Sequence, residues 1–330
     1  MNFNLFENNW IDYYNQKKIV NLSEKIITRC IEKIYYAKID NFYKQDLNKE
    51  EINLLLRWSI YVSTNTFLDR LLNVSVNKNF FFIDIKKEKK INQFRSTIEV
   101  SSNYYNNFNL NSILIEDLYK IIYSKRIKVL KTKKYPIIDQ DYKIKKIKKS
   151  IYSKIYNLFY KICSRSLIKI SQKIYKVSIF YEGDKWFENI FSASSRFPEH
   201  RLYKNVKISN KNRKKLKQCL YEALNEEIKN LNLKFNNKKL QKIIILFSKW
   251  TERSISTNVF EDLDNKISFY NKLINNNKIK EIHSCTGYYF NDNFKIFCIL
   301  AKRRKVSLFA QDDGVDNYLN YFPTNKTPYQ

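Results

Sequence analysis

The 330-residue chain has two histidines, His200 and His283, and each sits where chemistry could be done. His283 lies on Ile279–Ser284, a short apolar–polar stretch that reads as a strand. A turn around Gly287, a helical pattern from Asn291 to Arg304 and a second strand, Val306–Gln311, follow it. That strand runs into Gln311-Asp312-Asp313-Gly314. A β-α-β unit of this kind places Gln311, Asp312 and Gly314 at a strand's carboxyl end, where parallel α/β folds bind ligands. Two carboxylates there could hold a metal or accept sugar hydroxyls, and glycine would let backbone amides approach a ligand. An ordinary strand-ending turn fits the same residues. His283 would share that rim, although a hydrogen-bonded histidine at the core edge is the plainer alternative. His200 lies in SASSRFPEHR (Ser192–Arg201), beside Arg196, Glu199 and Arg201. Those neighbours could order its ring next to an anion, as acid–base work requires. His283 and His200 are thus the acid–base candidates, and Arg196 and Arg201 the anion-contact candidates. Asp139 and Asp141 stand two apart, a spacing that can hold a divalent ion. There is no P-loop, dinucleotide glycine fingerprint, HExxH or GxSxG motif.

The elements that must position these residues are mostly helical. Leu22–Tyr43 carries apolar residues at three- and four-residue spacing. Asn48 followed by Glu51 predicts a capped helix start, and the apolar stripe continues past Trp58 to Leu71. Trp58 and Arg70 there read as helix packing and a solvated or paired charge. Phe80–Ile85 predicts a strand, Leu110–Ser124 a helix, Leu158–Ser178 a helix and Val177–Tyr181 a strand. Lys215–Leu231 and Phe260–Ile274 predict helices, and Leu240–Trp250 fits a strand or a helix. Asparagine-rich Asn103–Asn111 and Asn275–Asn277 read as loops. Only three glycines are present, so asparagine is expected to fill turns with positive φ.

The formal charge is +29, with 61 Lys and Arg against 32 Asp and Glu. It could serve nucleic acid, an anionic membrane or an anionic substrate. A lysine- and asparagine-rich coding bias with solvated helix faces gives the same number. Lys125–Lys149 is dense in lysine, and either a phosphate-contacting patch or a loop and helix face fits it. The five cysteines are widely spaced without metal spacing, which suits a reducing compartment and packed free thiols. The start carries no basic region before an apolar run, and no segment has eighteen consecutive apolar residues. The expectation is a cytoplasmic protein, with peripheral contact at the inner face of a membrane left open.

These residues resemble bacterial surface-carbohydrate biosynthesis proteins, a transferase family of cell-envelope polysaccharide loci. The resemblance spans most of the chain. It takes in Trp10 with Tyr13, the LNKEEINLLLRW…FLDRLLNV segment with Trp58, Asp69 and Arg70, and SRFPEHRLY. It is strongest in HSCTGYYFNDNFKIFCILAKRRKVSLFAQDDGVDN. The family's strand there ends in Gln-His-Gly-Gly, and Gln311 and Gly314 match the first and last of these. Asp312 replaces the family's histidine and Asp313 its first glycine, so two carboxylates would repel a donor phosphate held there. Family members continue into further α/β sequence beyond this turn. The resemblance therefore implies a divergent relative that is C-terminally short, or one completed by a partner chain.

The expected fold is helix-rich α/β, glycosyltransferase-like, with a partial second Rossmann-like lobe. Residues 1–240 would form a helix-rich N-terminal domain and 241–330 a partial α/β domain. The implied activity is transfer of a sugar from a nucleotide sugar to a glycan or lipid-linked acceptor. A divalent metal would be compatible, but no residue pattern calls for one. The alternatives are a non-catalytic binder of nucleic acid or another polyanion, and an inactive transferase scaffold.

Overall fold

Apolar spacing of three and four builds most of the described residues into helices, and short parallel strands lie between them. The computed structural model describes residues 13–76, 82–83, 93–106, 108–123, 129–130, 177–181, 194–196, 206, 208–228, 235–275, 279–284 and 287–310. Helices α1 (Tyr13–Tyr36), α2 (Asp40–Tyr43) and α3 (Lys49–Val76) come first. Strand β1 (Phe82–Ile83), helices α4 (Thr97–Asn106) and α5 (Phe108–Tyr123) and strand β2 (Val129–Leu130) follow. Next are β3 (Val177–Tyr181), β4 (Ser194–Arg196), α6 (Asn210–Ile228), α7 (Asn237–Ser254), α8 (Thr257–Phe260) and α9 (Leu263–Asn275). The last elements are β5 (Ile279–Ser284), α10 (Gly287–Phe290), α11 (Asp292–Arg303) and β6 (Ser307–Ala310).

Helix α3 is the central post. Buried residues lie all round it, and α1, α4, α5, α7 and α11 pack against it. Phe67 of α3 stacks on Phe247 of α7 with centroids 4.0 Å apart and planes 6° apart. Burying each such ring contributes roughly 1.5–3 kcal/mol. One hydrophobic cluster extends from Ile26 to Ala301, drawing on helices before and after residue 240.

Asparagine does its work at helix starts. The Glu51 amide donates to Asn48 Oδ1 at 3.0 Å, and the Asn48 amide donates to Glu51 Oε2 at 3.0 Å. This reciprocal pair is the predicted capping box. Asn236 caps α7 by accepting from the Lys239 amide at 2.9 Å, and Asn291 caps α11 by accepting from the Phe294 amide at 3.0 Å. The positive-φ positions are different from the expectation. Among the described non-glycine residues they are Lys38 (φ 48°), Asp46 (φ 48°) and Lys305 (φ 61°), none of them asparagine. Asp46 and Lys305 each close a helix by a Schellman motif. The Leu47 amide donates to the Phe42 carbonyl and the Asp46 amide to Tyr43; the Val306 amide donates to Ala301 and the Lys305 amide to Lys302.

Three readings of local structure change, and Leu240–Trp250, open between strand and helix, resolves as helix. Leu22–Tyr43 is broken in two, because Lys38 takes a left-handed conformation between α1 and α2. Phe260–Ile274 is likewise split, with α8 ending at Phe260 and α9 starting at Leu263. Leu240–Trp250 is helical within α7, where Ile243, Ile244, Phe247 and Trp250 face the core. Asn103–Asn111 is largely helical within α4 and α5. Asn103 Nδ2 bonds back to the Glu99 carbonyl at 2.9 Å and Asn111 Nδ2 to the Tyr104 carbonyl at 3.0 Å. Those amides therefore satisfy backbone acceptors instead of opening turns.

Strands β1 and β2 form a parallel pair, and the other four form a parallel sheet in the order β4-β3-β5-β6. Neighbouring parallel strands need a crossover, and α10 and α11 supply it between β5 and β6. The fold is thus helix-rich with a small parallel sheet.

Candidate functional site

The strand order locates the site. From β3 the chain adds β4 on one side, then returns to add β5 and β6 on the other. The order therefore reverses between β3 and β5. In open parallel sheets the loops leaving two such strands diverge to opposite faces, leaving a crevice at their carboxyl ends.

The register fills in that edge. Arg196 of β4 pairs with Phe180 of β3, Phe180 with His283 of β5, and His283 with Phe309 of β6. Arg196 and His283 thus occupy one row, two strand spacings apart, or about 10 Å. One residue further along, Tyr181, Ser284 and Ala310 form the last row. Beyond it the chain continues into the polar segments 182–184, 285–286 and 311–314, which lie outside the described residues.

Alternation along β5 separates two kinds of side chain. Ile282 and Ser284 are fully buried, whereas Glu281 and His283 are partly exposed on the opposite face. His283 Nε2 lies 3.4 Å from Glu281 Oε2. Its ring stacks on Phe309 with centroids 4.7 Å apart and planes 11° apart. A carboxylate and an aromatic face thus orient one imidazole that keeps 18% of its side chain exposed. Ser284 Oγ accepts the Gly287 amide at 2.8 Å, which ties the end of β5 to the start of α10. Tyr288 Oη donates to the Phe309 carbonyl at 2.9 Å, so α10 is anchored to β6 as well.

Beneath this edge, a buried polar cluster holds the start of α11. Asp292 accepts from the Thr97 amide at 2.9 Å, from the Thr97 hydroxyl and from Ser256 Oγ at 2.8 Å. Lys295 Nζ lies 3.8 Å from Asp292 Oδ1 and 3.5 Å from the Leu55 carbonyl. Burial pushes the Lys295 ammonium down to about 8, against the opposing pull of Asp292. Lys266 Nζ donates to Asn293 Oδ1 at 2.6 Å and lies 3.5 Å from Asp262, and burial lowers its pKa too. The cluster joins α3, α4, α8, α9 and α11, so it fixes the platform from which β5 and α10 present their ends.

A second buried network is structural. Arg213 gives Glu261 two bonds of 2.7 Å, and also reaches Glu252 Oε1 at 3.1 Å and the Ile255 carbonyl at 2.8 Å. Its guanidinium lies over the Phe260 ring at 4.7 Å. Burial of Glu252 outweighs this pairing and raises its carboxyl pKa. With its donors so committed, Arg213 ties α6 to α7 and α8 and is not set up to meet a ligand.

The candidates from the sequence are distributed unevenly. His283 and Arg196 are brought into one register row. His200, Arg201, Gln311, Asp312 and Gly314 lie outside the described residues, as do Asp139 and Asp141. Glu281 and Ser284 were not singled out from sequence; the period-two alternation of β5 was the signal for Glu281 beside His283. Lys295 and Lys266 gave no signal, because lysine on a helix normally reads as solvent-facing. Asp69 and Arg70 form a buried ion pair, with Asn73 Nδ2 donating to Asp69 Oδ1 at 3.2 Å, as the packing reading expects. Trp58 Nε1 donates to Ser101 Oγ at 3.0 Å, and the indole packs against Tyr61, Tyr289 and Phe290. Cys30, Cys219 and Cys298 are free and buried. Burial raises all three thiol pKa values, Cys219 to about 11, which makes them poor nucleophiles. Among the described residues no group of three or more His, Cys, Asp or Glu side chains is placed to hold a metal, and no helix is long and apolar enough to cross a membrane. Comparison with protein-family models, with curated proteins and with solved structures yields no match.

Proposed function

We propose that the chain is a glycosyltransferase-like protein of cell-surface polysaccharide assembly. It would move a sugar from a nucleotide sugar to a glycan or lipid-linked acceptor. The observation that carries this reading is the reversal of strand order between β3 and β5, with Arg196 and His283 in one row across it. In this reading the parallel strands belong to a Rossmann-like lobe, and the resemblance to surface-carbohydrate transferases supplies the reaction class.

The chemistry follows from the residues. An acceptor hydroxyl attacks the anomeric carbon, the bond to the nucleotide diphosphate breaks, and the diphosphate leaves with the electron pair. His283 takes the hydroxyl proton, and Glu281 beside it holds the ring and faces the imidazolium that results. Arg196, about 10 Å away along the row, would meet the leaving diphosphate. Gln311, Asp312 and Gly314 follow β6 directly and would complete the rim. Asp312 and Asp313 oppose the diphosphate unless a divalent cation stands between them.

Calorimetry with a panel of nucleotide sugars, with and without Mg²⁺ or Mn²⁺, tests the reading. Saturable binding is expected. Arg196→Ala weakens it by the loss of one charge-assisted hydrogen bond, roughly tenfold to a hundredfold. His283→Ala leaves binding in place and lowers transfer roughly 10²- to 10⁴-fold. A folded protein that binds no member of the panel, or a His283→Ala variant with full turnover, overturns it.

A further inference from the structure

The corner where α1 meets α2 carries an unusual surface. Tyr36 is 73% exposed at the end of α1, Tyr43 62% at the end of α2, and Ile208 43% just before α6. Lysines stand among them. The Lys38 ammonium lies 5.5 Å from the centre of the Tyr43 ring. Lys215 Nζ reaches the Lys38 carbonyl at 3.4 Å, and Asn212 bonds Asn41, so α6 and the α1–α2 corner form one continuous face. Lys211 is exposed one turn before Lys215. Carboxylates share this stretch: Asp40 is half-buried in the first turn of α2, Asp46 lies beside Arg303, which donates to its carbonyl at 2.6 Å, and Asp264 accepts from Gln45 at 2.9 Å. The face therefore combines exposed lysines with exposed tyrosine and isoleucine.

We propose that this corner docks on an anionic phospholipid surface. Tyrosine suits the headgroup layer because its ring is apolar and its hydroxyl is wet. Lysine stems lie along apolar surface while their ammonium groups reach outward to anionic headgroups. Ile208 has no π-face, so it adds nothing to base stacking but does enter an acyl boundary. The rings stand on a helix end and a four-residue helix instead of lining a groove, which is the arrangement that tracks single-stranded nucleic acid. The charge of the whole chain, +29, favours an anionic partner. The inference does not depend on the glycosyl-transfer reading, because a chain without catalysis would dock in the same way.

The test is co-sedimentation of the full chain with vesicles of equimolar phosphatidylglycerol and phosphatidylcholine, against phosphatidylcholine alone. Binding to the anionic vesicles that weakens with salt is expected. Each lysine removed near the surface lowers the partition about fivefold, so Lys211→Gln with Lys215→Gln lowers it roughly 25-fold. Tyr36→Ser with Tyr43→Ser lowers it further, and this part persists at high salt. Circular dichroism of each variant separates lost docking from lost folding. Equal partition of folded variants and wild type overturns the proposal. So does polyuridylate binding that falls more steeply than vesicle binding in the Tyr36/Tyr43 variant, which would make the face a nucleic-acid surface.

Discussion

Lys295 provides a quantitative handle on the buried cluster that holds α11. Its side chain is fully buried, and its pKa drops from 10.5 to about 8. The unfolded chain therefore binds a proton more tightly than the native protein does. Between pH 8 and 10.5 the unfolded state carries more protons, so stability rises with pH across that window. Below it, the buried ammonium costs about 3 kcal/mol; by pH 10 the cost has fallen to about 1 kcal/mol. Lys295→Met keeps the aliphatic stem and deletes the titration. Other effects of the substitution, such as the lost contact with the Leu55 carbonyl and the changed packing, are the same at every pH. Asp292 keeps its bonds from Thr97 and Ser256 in the variant. Lys266 titrates in both proteins, so its contribution largely cancels.

The assay is urea unfolding of both proteins at pH 7, 9 and 10. Wild type should gain about 2 kcal/mol on the variant from pH 7 to pH 10, whatever the offset at pH 7. The m-values should agree, because the surface exposed on unfolding is unchanged. Urea is preferred to guanidinium chloride, which screens charge. A stability difference that stays constant with pH would refute the reasoning, since Lys295 would then titrate alike in the folded and unfolded chains.

Two further stability outcomes follow from other residues. Arg213→Met leaves Glu252 and Glu261 buried beside a lost guanidinium and should cost about 3–5 kcal/mol, read as a lower urea midpoint at pH 7. Asp46→Gly and Lys305→Gly relieve left-handed backbone at two Schellman positions; relief of about 1–2 kcal/mol less the entropy of a new glycine leaves a gain of about 0.5–1 kcal/mol each, seen as a higher midpoint with unchanged m.

Much of the helical frame is legible in the sequence, for reasons that also mark the limit. The Asn48–Glu51 capping box and the Ile26-to-Ile34 stripe are local patterns, and local patterns survive into the fold. Asparagine content alone does not mark a loop. At positions 103 and 111 it bonds to carbonyls within the helical region, and the surrounding Leu110 and Leu114 supply the burial that carries the helix on. Helix α3 is harder to read, because it is buried on all sides and polar Ser59, Ser63 and Thr64 are enclosed with Leu55 and Ile60. A helix of this kind has no polar face to mark its orientation.

The site is less legible than the frame because its geometry is not local. Strand β5 and its histidine can be found from alternation, but the sequence contains nothing that pairs His283 with Arg196. That pairing depends on β3 standing between them and on the register Arg196–Phe180–His283. A one-residue slip of β4 or β5 would break that row. The reversal of strand order is a property of three connections at once, so it lies beyond reading any one segment. The placement of Glu281 follows the same logic in reverse. Once β5 is a strand with Ile282 buried, a carboxylate two residues from His283 must share its face, and the 3.4 Å contact is the consequence. Local periodicity thus yields the histidine and its carboxylate, and only topology adds the arginine. Moving Arg196 out of the row while keeping its charge separates the two contributions. In Arg196→Ala/Ser195→Arg, anion binding should fall as it does in Arg196→Ala alone, because adjacent positions of a strand alternate between faces.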